Sequence, residues 1–296
     1  MLVLYLNQEM PTVKHQGFAA QPGGSDSRIT PDSGPHPLTA VIRFAHRTLI
    51  IAEMEVLKLR HDPTVLFTRA MQPALWLLVF GQVFTRIRAI PTGDLSYIEF
   101  MAPGILAQSV LFIAIFYGLS VIWERDLGIV HKFLASPTPR AALVLGKALS
   151  AGARGLSQAA IVYVLAVLLR VKISWNPATL VGVLLVVVLS AAFFSTMSLI
   201  IACLVKTRER FMGIGQLLTM PLFFASNAIY PIGMMPKWLQ VISRVNPLTY
   251  EVDALRALMV LHGKSVYGLG IDLSVLFAAT TVLVVIAGRL YPNVAR

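Results

Sequence analysis

With 296 residues, 56% of them hydrophobic and only 13% charged, and a mean hydropathy of +0.73, the chain is too apolar for a soluble globular domain and reads as a polytopic membrane protein. A formal charge of +11 does not point to nucleic acid, because Lys and Arg collect at the ends of apolar runs with no aromatic-interleaved basic groove. The single cysteine, Cys203, sits within an apolar run, reads as a small core residue, and can form no intrachain disulfide.

Residues 1–37 open with MLVLYL, too short for the core of a signal peptide and followed by Asn7, Gln8 and Glu9. The Pro-, Gly-, Ser- and Asp-rich stretch that follows, QPGGSDSRITPDSGPHP, has too little apolar surface to order itself, so 1–37 is expected to be a disordered cytosolic tail. From Leu38 to Arg60 the pattern turns helical. Leu38, Val41, Ala45, Leu49, Ala52, Val56 and Leu59 recur every three or four residues, with Arg43, Arg47 and Lys58 on another face. That is the pattern of an amphipathic helix lying in the membrane interface; a helix packed on a soluble partner is the alternative.

Six spans follow, each needing about 20 apolar residues. They are expected near Val65–Phe84, Ile98–Ile122, Lys147–Leu169, Ala178–Val205, Gly213–Ile232 and Ile271–Leu290. Pro73, Pro103 and Pro221 fall inside spans, where neighbouring helices can satisfy the freed carbonyls. With the N-terminus inside, 17 of the 25 Lys and Arg residues fall on the inner side and 8 on the outer. The positive-inside rule therefore predicts two cytosolic termini.

Between the second and third spans lies WERDLGIVHKFLASPTPRAALVLGK, from Trp123 to Lys147. Leu127, Val130 and Leu134 fall on one face of a short helix, and Pro137 and Pro139 end it. An apolar stripe held at the membrane surface suits a segment pushed by a partner; the alternative is an ordinary juxtamembrane loop. Between the fifth and sixth spans, residues 226–262 are too interrupted by proline for one span and too apolar for an open loop. Pro236 begins a short helix carrying Trp238, Leu239, Ile242 and Val245. Asn246 then caps a second helix with Pro247 at its first position, and Leu248, Val252, Leu255 and Met259 form its apolar stripe. Asp253 and Arg256 make an i,i+3 pair. Two amphipathic helices dipping into the outer leaflet are expected; an external cap on the bundle is the alternative.

These motifs together resemble those of the permease subunits of ABC type-2 transporters, including the daunorubicin-resistance and nodulation-type exporters. The resemblance is carried by Tyr97-x-x-Phe100-x-x-Pro103-Gly104, by Glu124-Arg125-x-x-Gly128 continuing to Pro137-x-Pro139-Arg140, and by Asn246-Pro247-Leu248-Thr249-Tyr250 continuing to Asp253-Ala254-Leu255-Arg256. It covers 38–296 as one transmembrane domain; 1–37 has no counterpart. The resemblance implies an all-α integral membrane fold with an interfacial elbow helix, six spans, a cytosolic coupling helix and re-entrant outer helices before the last span. It also implies two cytosolic ATP-binding subunits, which would hold ATP and Mg, a second permease (identical or related), and a place in the inner membrane of a prokaryote. Glu124, Arg125, Leu127, Gly128, Leu134 and Arg140 would then belong to the coupling segment. Asn246, Pro247, Tyr250, Asp253 and Arg256 would belong to the re-entrant region.

Chemistry within the chain itself is not expected. A phosphate-cradling loop requires G-x-x-x-x-G-K-[ST]. Gly146-Lys147 is followed by Ala148 and has Ala141 in place of the first glycine, while the second near match, Gly263-Lys264-Ser265, has Leu258 there. ATP hydrolysis is therefore assigned to another polypeptide. A secondary transporter would carry ionisable groups deep in its spans, but Arg69, Glu99, Arg154 and Arg289 are all expected within a turn or two of span ends. A lipid-modifying enzyme would need clustered carboxylates or a His/Glu metal set. The close acidic pairs Glu124/Asp126 and Glu251/Asp253 lie on opposite sides, and the six histidines have no ligand spacing. The spans carry amides and aromatics instead, among them Gln72, Trp76, Gln108, Phe116, Gln216 and Asn227. Such groups either pack against other helices or line a path for an amphiphilic drug, lipid or glycoconjugate.

Overall fold

The computed structural model describes residues 63–87, 90–127, 140–205 and 207–291. The expected tail, the interfacial helix, and the coupling residues Gly128 and Leu134 lie outside these. Arg140 is the first residue of its helix, and its side chain lies outside them too. Among the described residues the fold is helical, with a single isolated bridge between Ile173 and Val260.

The first expected span is one uninterrupted helical run from Pro63 to Ile87. It comprises α1 (Pro63–Leu75), a π-helical segment (Trp76–Gly81) and α2 (Gln82–Ile87). The change of pitch follows Pro73 within two turns, where the missing donor loosens the hydrogen-bond ladder. Trp76, Phe80 and Phe84 stack along it, with ring centroids 4.5 and 6.4 Å apart. Helix α3 (Tyr97–Asp126) opens on a capping box: Glu99 N–H donates to the Ser96 hydroxyl and Ser96 N–H to the Glu99 carboxylate, at 3.4 and 2.9 Å. Helices α4 (Arg140–Leu168) and α5 (Pro177–Leu204) follow. The latter starts where Asn176 accepts from Ala178 N–H and Pro177 occupies the first helical position. Helix α3, the Val144–Leu168 part of α4, α5 and the last helix, α9 (Leu269–Leu290), are each long and apolar enough to cross a membrane.

The fifth expected span differs from its sequence reading. Helix α6 covers Arg208–Phe224 rather than continuing to Ile232, and at 1.5 Å per residue it is about 25 Å long. The apolar run continues past Phe224, but Ser226 ends the helix by turning its hydroxyl onto the Phe223 carbonyl at 2.7 Å and accepting from Ala228 N–H at 3.3 Å. This is local side-chain bonding that competes with helix. After a 3-10 turn (Ile232–Met234) come α7 (Lys237–Val245) and α8 (Pro247–Met259).

Helix α5 is the hub, packing against α3, α4, α8 and α9. Small residues permit the closest approaches. A side chain at Gly118 of α3 would overlap the Ser198 hydroxyl of α5, which donates to the Ile115 carbonyl.

Helix α8 departs from the expected amphipathic outer helix. Leu248, Thr249, Glu251 to Arg256, Leu258 and Met259 are all buried, because α3, α5 and α9 surround it. Its end is tied to the α4–α5 connection by Ser174 N–H on the Met259 carbonyl and Leu261 N–H on the Lys172 carbonyl, both 2.9 Å. Helix α7 does keep an exposed apolar face, with Trp238, Val241, Ile242 and Val245 open.

Candidate functional site: a buried polar knot and a charged helix end

Asp253 and Arg256 lie one turn apart on α8, 0% and 4% exposed. Two charges this deep persist only when paired and hydrogen-bonded, and both are. Asp253 Oδ1 accepts from Arg256 Nη1 at 3.3 Å and from Asn227 Nδ2 at 3.0 Å. Its Oδ2 accepts from the backbone N–H groups of Val266 and Tyr267 at 2.6 and 3.3 Å. Arg256 donates to the Asn227 carbonyl at 2.7 Å and to the Phe100 carbonyl at 3.4 Å, and its guanidinium sits 4.0 Å from the centroid of the Phe100 ring. Ser265 Oγ lies 2.7 Å from Asp272 Oδ2 and 3.2 Å from Asp253 Oδ2, and its one proton serves one carboxylate at a time.

This knot joins two motifs that the sequence holds far apart. Tyr97 donates its hydroxyl to the Ile229 carbonyl at 3.1 Å, and Phe100 caps the guanidinium. At Gly104 a Cβ would come within 2.6 Å of the Ala228 carbonyl. The start of α3 is thereby pressed against the 225–231 turn from one side, and α8 holds that turn from the other. Asn246 adds a second attachment: its Oδ1 caps α8 through Leu248 N–H at 3.0 Å and its Nδ2 donates to the Leu222 carbonyl at 2.7 Å. Tyr250 donates to the Arg244 carbonyl at 2.6 Å and stacks on Tyr267, centroids 5.3 Å apart. Partial burial pushes the Tyr267 phenol up from its ordinary range. Four of the five expected residues, Asn246, Tyr250, Asp253 and Arg256, are thus hydrogen-bonded parts of one structure, and Pro247 starts its helix.

At the opposite end of α3, Glu124 and Arg125 form the last helical turn and Leu127 is the C-cap. Glu124 pairs with Lys147 of α4 at 2.5 Å, a partner within this chain that the sequence reading did not assign. Arg125 donates to the Val205 carbonyl at 3.3 Å. Asp126 accepts from Arg208 Nη2 and Nε at 2.7 and 3.2 Å, and the Arg208 guanidinium lies 4.4 Å from the Trp123 ring centroid. The end of α3 is therefore bound to α4, to the end of α5 and to the start of α6. Leu127, 70% exposed, projects from it.

The six amide and aromatic residues do not share one surface within this chain. Gln108 is buried inside α3 and Asn227 inside the knot, while Phe116 is half-buried and stacked on Phe112. Gln72 and Trp76 line a hollow of about 450 Å³ on the face of α1, and Gln216 is exposed on α6.

Two ionisable residues lie deeper than the sequence reading placed them. Arg154 is at the middle of α4 because that helix begins at Arg140 rather than Lys147, and its guanidinium is 4.5 Å from the Tyr117 ring centroid. Glu251 is fully buried on α8, a helix of 13 residues and too short to span. Neither carboxylate oxygen of Glu251 closes a hydrogen bond among the described residues. A helical stripe reading counts Glu251 as a polar-face residue, and only the packing of α5 against that face reveals its burial. Among the described residues no cluster of three or more His, Cys, Asp or Glu has the arrangement of a metal site.

Residues 46–260 match the family model described as ABC-2 type transporter. The chain is similar to the daunorubicin resistance ABC transporter permease protein DrrB1 of Streptomyces coeruleorubidus, 27% identical over 284 residues, which cover 93% of this chain and 99% of that protein. It is similar to a protein named as a transport permease, ycf38, in Cyanophora paradoxa, 27% identical over 217 residues, covering 73% of this chain and 74% of that one. It is also similar to the inner membrane transport permease YadH of Escherichia coli strain K12, 24% identical over 193 residues, covering 62% and 72% of the two chains.

Proposed function

This chain belongs to the ABC-2 type transporter family, and on that premise we propose that it is the membrane-spanning permease subunit of an exporter driven by ATP hydrolysed on a separate subunit. The observation that carries the reading is the family match over 46–260, which takes in both the Tyr97–Gly104 and the Asn246–Arg256 motifs. In this reading the chain crosses the inner membrane six times with both termini in the cytosol, as the Lys and Arg distribution favours. The run 63–87 and α6 supply the two spans beyond the four longest helices. The Asp126 end of α3 faces the cytosol, and α7 with α8 re-enters from the outside.

Two ATP-binding subunits dock on the segment containing Glu124, Arg125, Leu127, Gly128, Leu134 and Arg140, and a second permease completes the path. ATP and Mg belong to those subunits. The knot of Asp253, Arg256 and Asn227 fixes the outer exit, so that movement at the inner ends is transmitted through rigid α3 and α5. Gln72 and Gln216, exposed amides on α1 and α6, are costly against lipid tails and are assigned to the face turned toward the second permease and the cargo. Similarity to a daunorubicin resistance permease along most of the chain favours a lipophilic drug, with a lipid or glycoconjugate as further candidates.

Arg154 and Glu251 are the observations that favour a second reading, an ion-coupled carrier working alone. Purification of the tagged chain from its native membrane in mild detergent separates the two. The permease reading expects an ATP-binding protein to co-purify and ATP hydrolysis to require it. A chain that transports in vesicles without any ATP-binding protein, driven by an ion gradient, overturns it.

A further inference from the structure

Helices α6 and α7 diverge around a groove of about 730 Å³, within the size range of small-ligand pockets. Leu217, Pro221 and Phe224 form one wall and Trp238, Ile242 and Val245 the other. The groove is open along its length: Leu217 is 71% exposed and Val245 78%. The two amide or hydroxyl side chains in its lining are already engaged within the chain. Tyr230 donates to the Phe224 carbonyl, and Asn246 is bonded through both its oxygen and its nitrogen. A polar or charged molecule seated there would lose its water for at most the single indole N–H of Trp238. A hydrocarbon chain would lose nothing.

The rim has a different chemistry. Lys237 and Arg244, seven residues apart on α7 and both exposed, fall on one helical stripe beside the apolar face. Neither is in an ion pair among the described residues. A short helix with tryptophan and aliphatic residues on one side and basic residues along its edge is built to lie at a bilayer interface and to attract anionic headgroups.

We propose that the groove between α6 and α7 holds an acyl chain of an anionic phospholipid, with Lys237 and Arg244 receiving its headgroup phosphate. The lipid is a resident ligand that fills the space between α6 and the α7–α8 hairpin. Because α8 carries the polar knot, the lipid wedges the hairpin in place. The proposal requires only that the chain lies in a bilayer and does not depend on the transport reading, so either can fail alone.

The test uses the full chain with Trp76, Trp123 and Trp175 replaced by phenylalanine, leaving Trp238 as the reporter. It is reconstituted into mixed phosphatidylglycerol and phosphatidylcholine vesicles in which one or the other lipid carries brominated acyl chains. At equal mole fraction, brominated phosphatidylglycerol is expected to quench Trp238 with roughly thirtyfold higher relative affinity, two basic side chains each favouring an anionic lipid. Lys237→Gln with Arg244→Gln, both exposed and outside the core, should bring the ratio to about one. Equal quenching by both lipids in the parent chain shows an unselective lipid surface and overturns the proposal. Absence of quenching by either lipid, with a disulfide forming between copies from Leu217→Cys and Trp238→Cys in the otherwise native chain, shows that a second copy occupies the groove and also overturns it.

Discussion

Arg256 lays its guanidinium on the Phe100 ring, 4.0 Å from the centroid, while donating to the carbonyl of that same phenylalanine at 3.4 Å. One side chain thus grips both the face and the backbone of a residue on another helix, and its remaining donors reach Asp253 and the Asn227 carbonyl. Three elements meet at this arginine: α3, the 225–231 turn and α8.

Removing one member of a buried, hydrogen-bonded ion pair leaves the other uncompensated, at a cost of about 3–5 kcal/mol. Arg256→Ala is therefore expected to lower the thermal midpoint of the detergent-purified protein sharply. Arg256→Lys should recover only part of the loss, because an ammonium cannot reproduce the planar fork. Asp253→Ala combined with Arg256→Ala should cost less than the two single changes added together. Additive losses would mean that the pair is not a unit.

Gly104 faces the Ala228 backbone, which cannot rotate away as a side chain would. A Cβ there lies 2.6 Å from the carbonyl oxygen and 2.7 Å from Cα, so Gly104→Ala must push α3 off the turn, at about 1–3 kcal/mol. Gly146→Ala is the control: nothing lies within 4 Å of a Cβ at that helical position, and the better helix former should stabilise by up to about 1 kcal/mol. Thermal unfolding of the two variants measures both signs.

At the other end of α3, Glu124 and Lys147 are partly exposed, their side chains 26% and 16% accessible, and such a pair contributes about 0–1 kcal/mol. Glu124→Lys should destabilise by more than that, since it places two ammonium groups in contact. Exchanging the two residues should return stability close to that of the parent. A swap no better than the single reversal would assign Glu124 to a contact outside this chain.

The long helices were legible in the residues because hydropathy and length suffice for them. The Asn246-Pro247 start of α8 was legible because a cap and a proline at the first helical position have local causes. The burial of α8 was not. Leu248, Val252, Leu255 and Met259 form one apolar stripe, and Glu251, Asp253 and Arg256 on the other faces read as facing solvent. They are buried because α3, α5 and α9 enclose the helix from three sides, an arrangement set by partners distant in sequence. Asp253 and Arg256 tolerate it by neutralising each other. The end of α6 has a subtler cause: hydropathy continues through Phe224-Ala225, and the helix stops where Asn246, Ser226 and Tyr230 take the carbonyls of Leu222, Phe223 and Phe224. The Glu124–Lys147 pair was missed because two helix ends on the same side of a bundle can meet in several ways.

In the proposed function, force from an ATP-binding subunit enters at the end of α3. The most direct test is Leu127→Asp with Leu134→Asp in the complex purified with its ATPase and reconstituted in vesicles. Leu127 is 70% exposed and caps α3, so the variant should insert in the membrane at parent levels. The measurement is ATP hydrolysis and transport per complex, side by side. Normal membrane abundance is expected, with transport lost and hydrolysis no longer responding to cargo. Parent-level transport by the double variant would contradict it and leave this segment a connector.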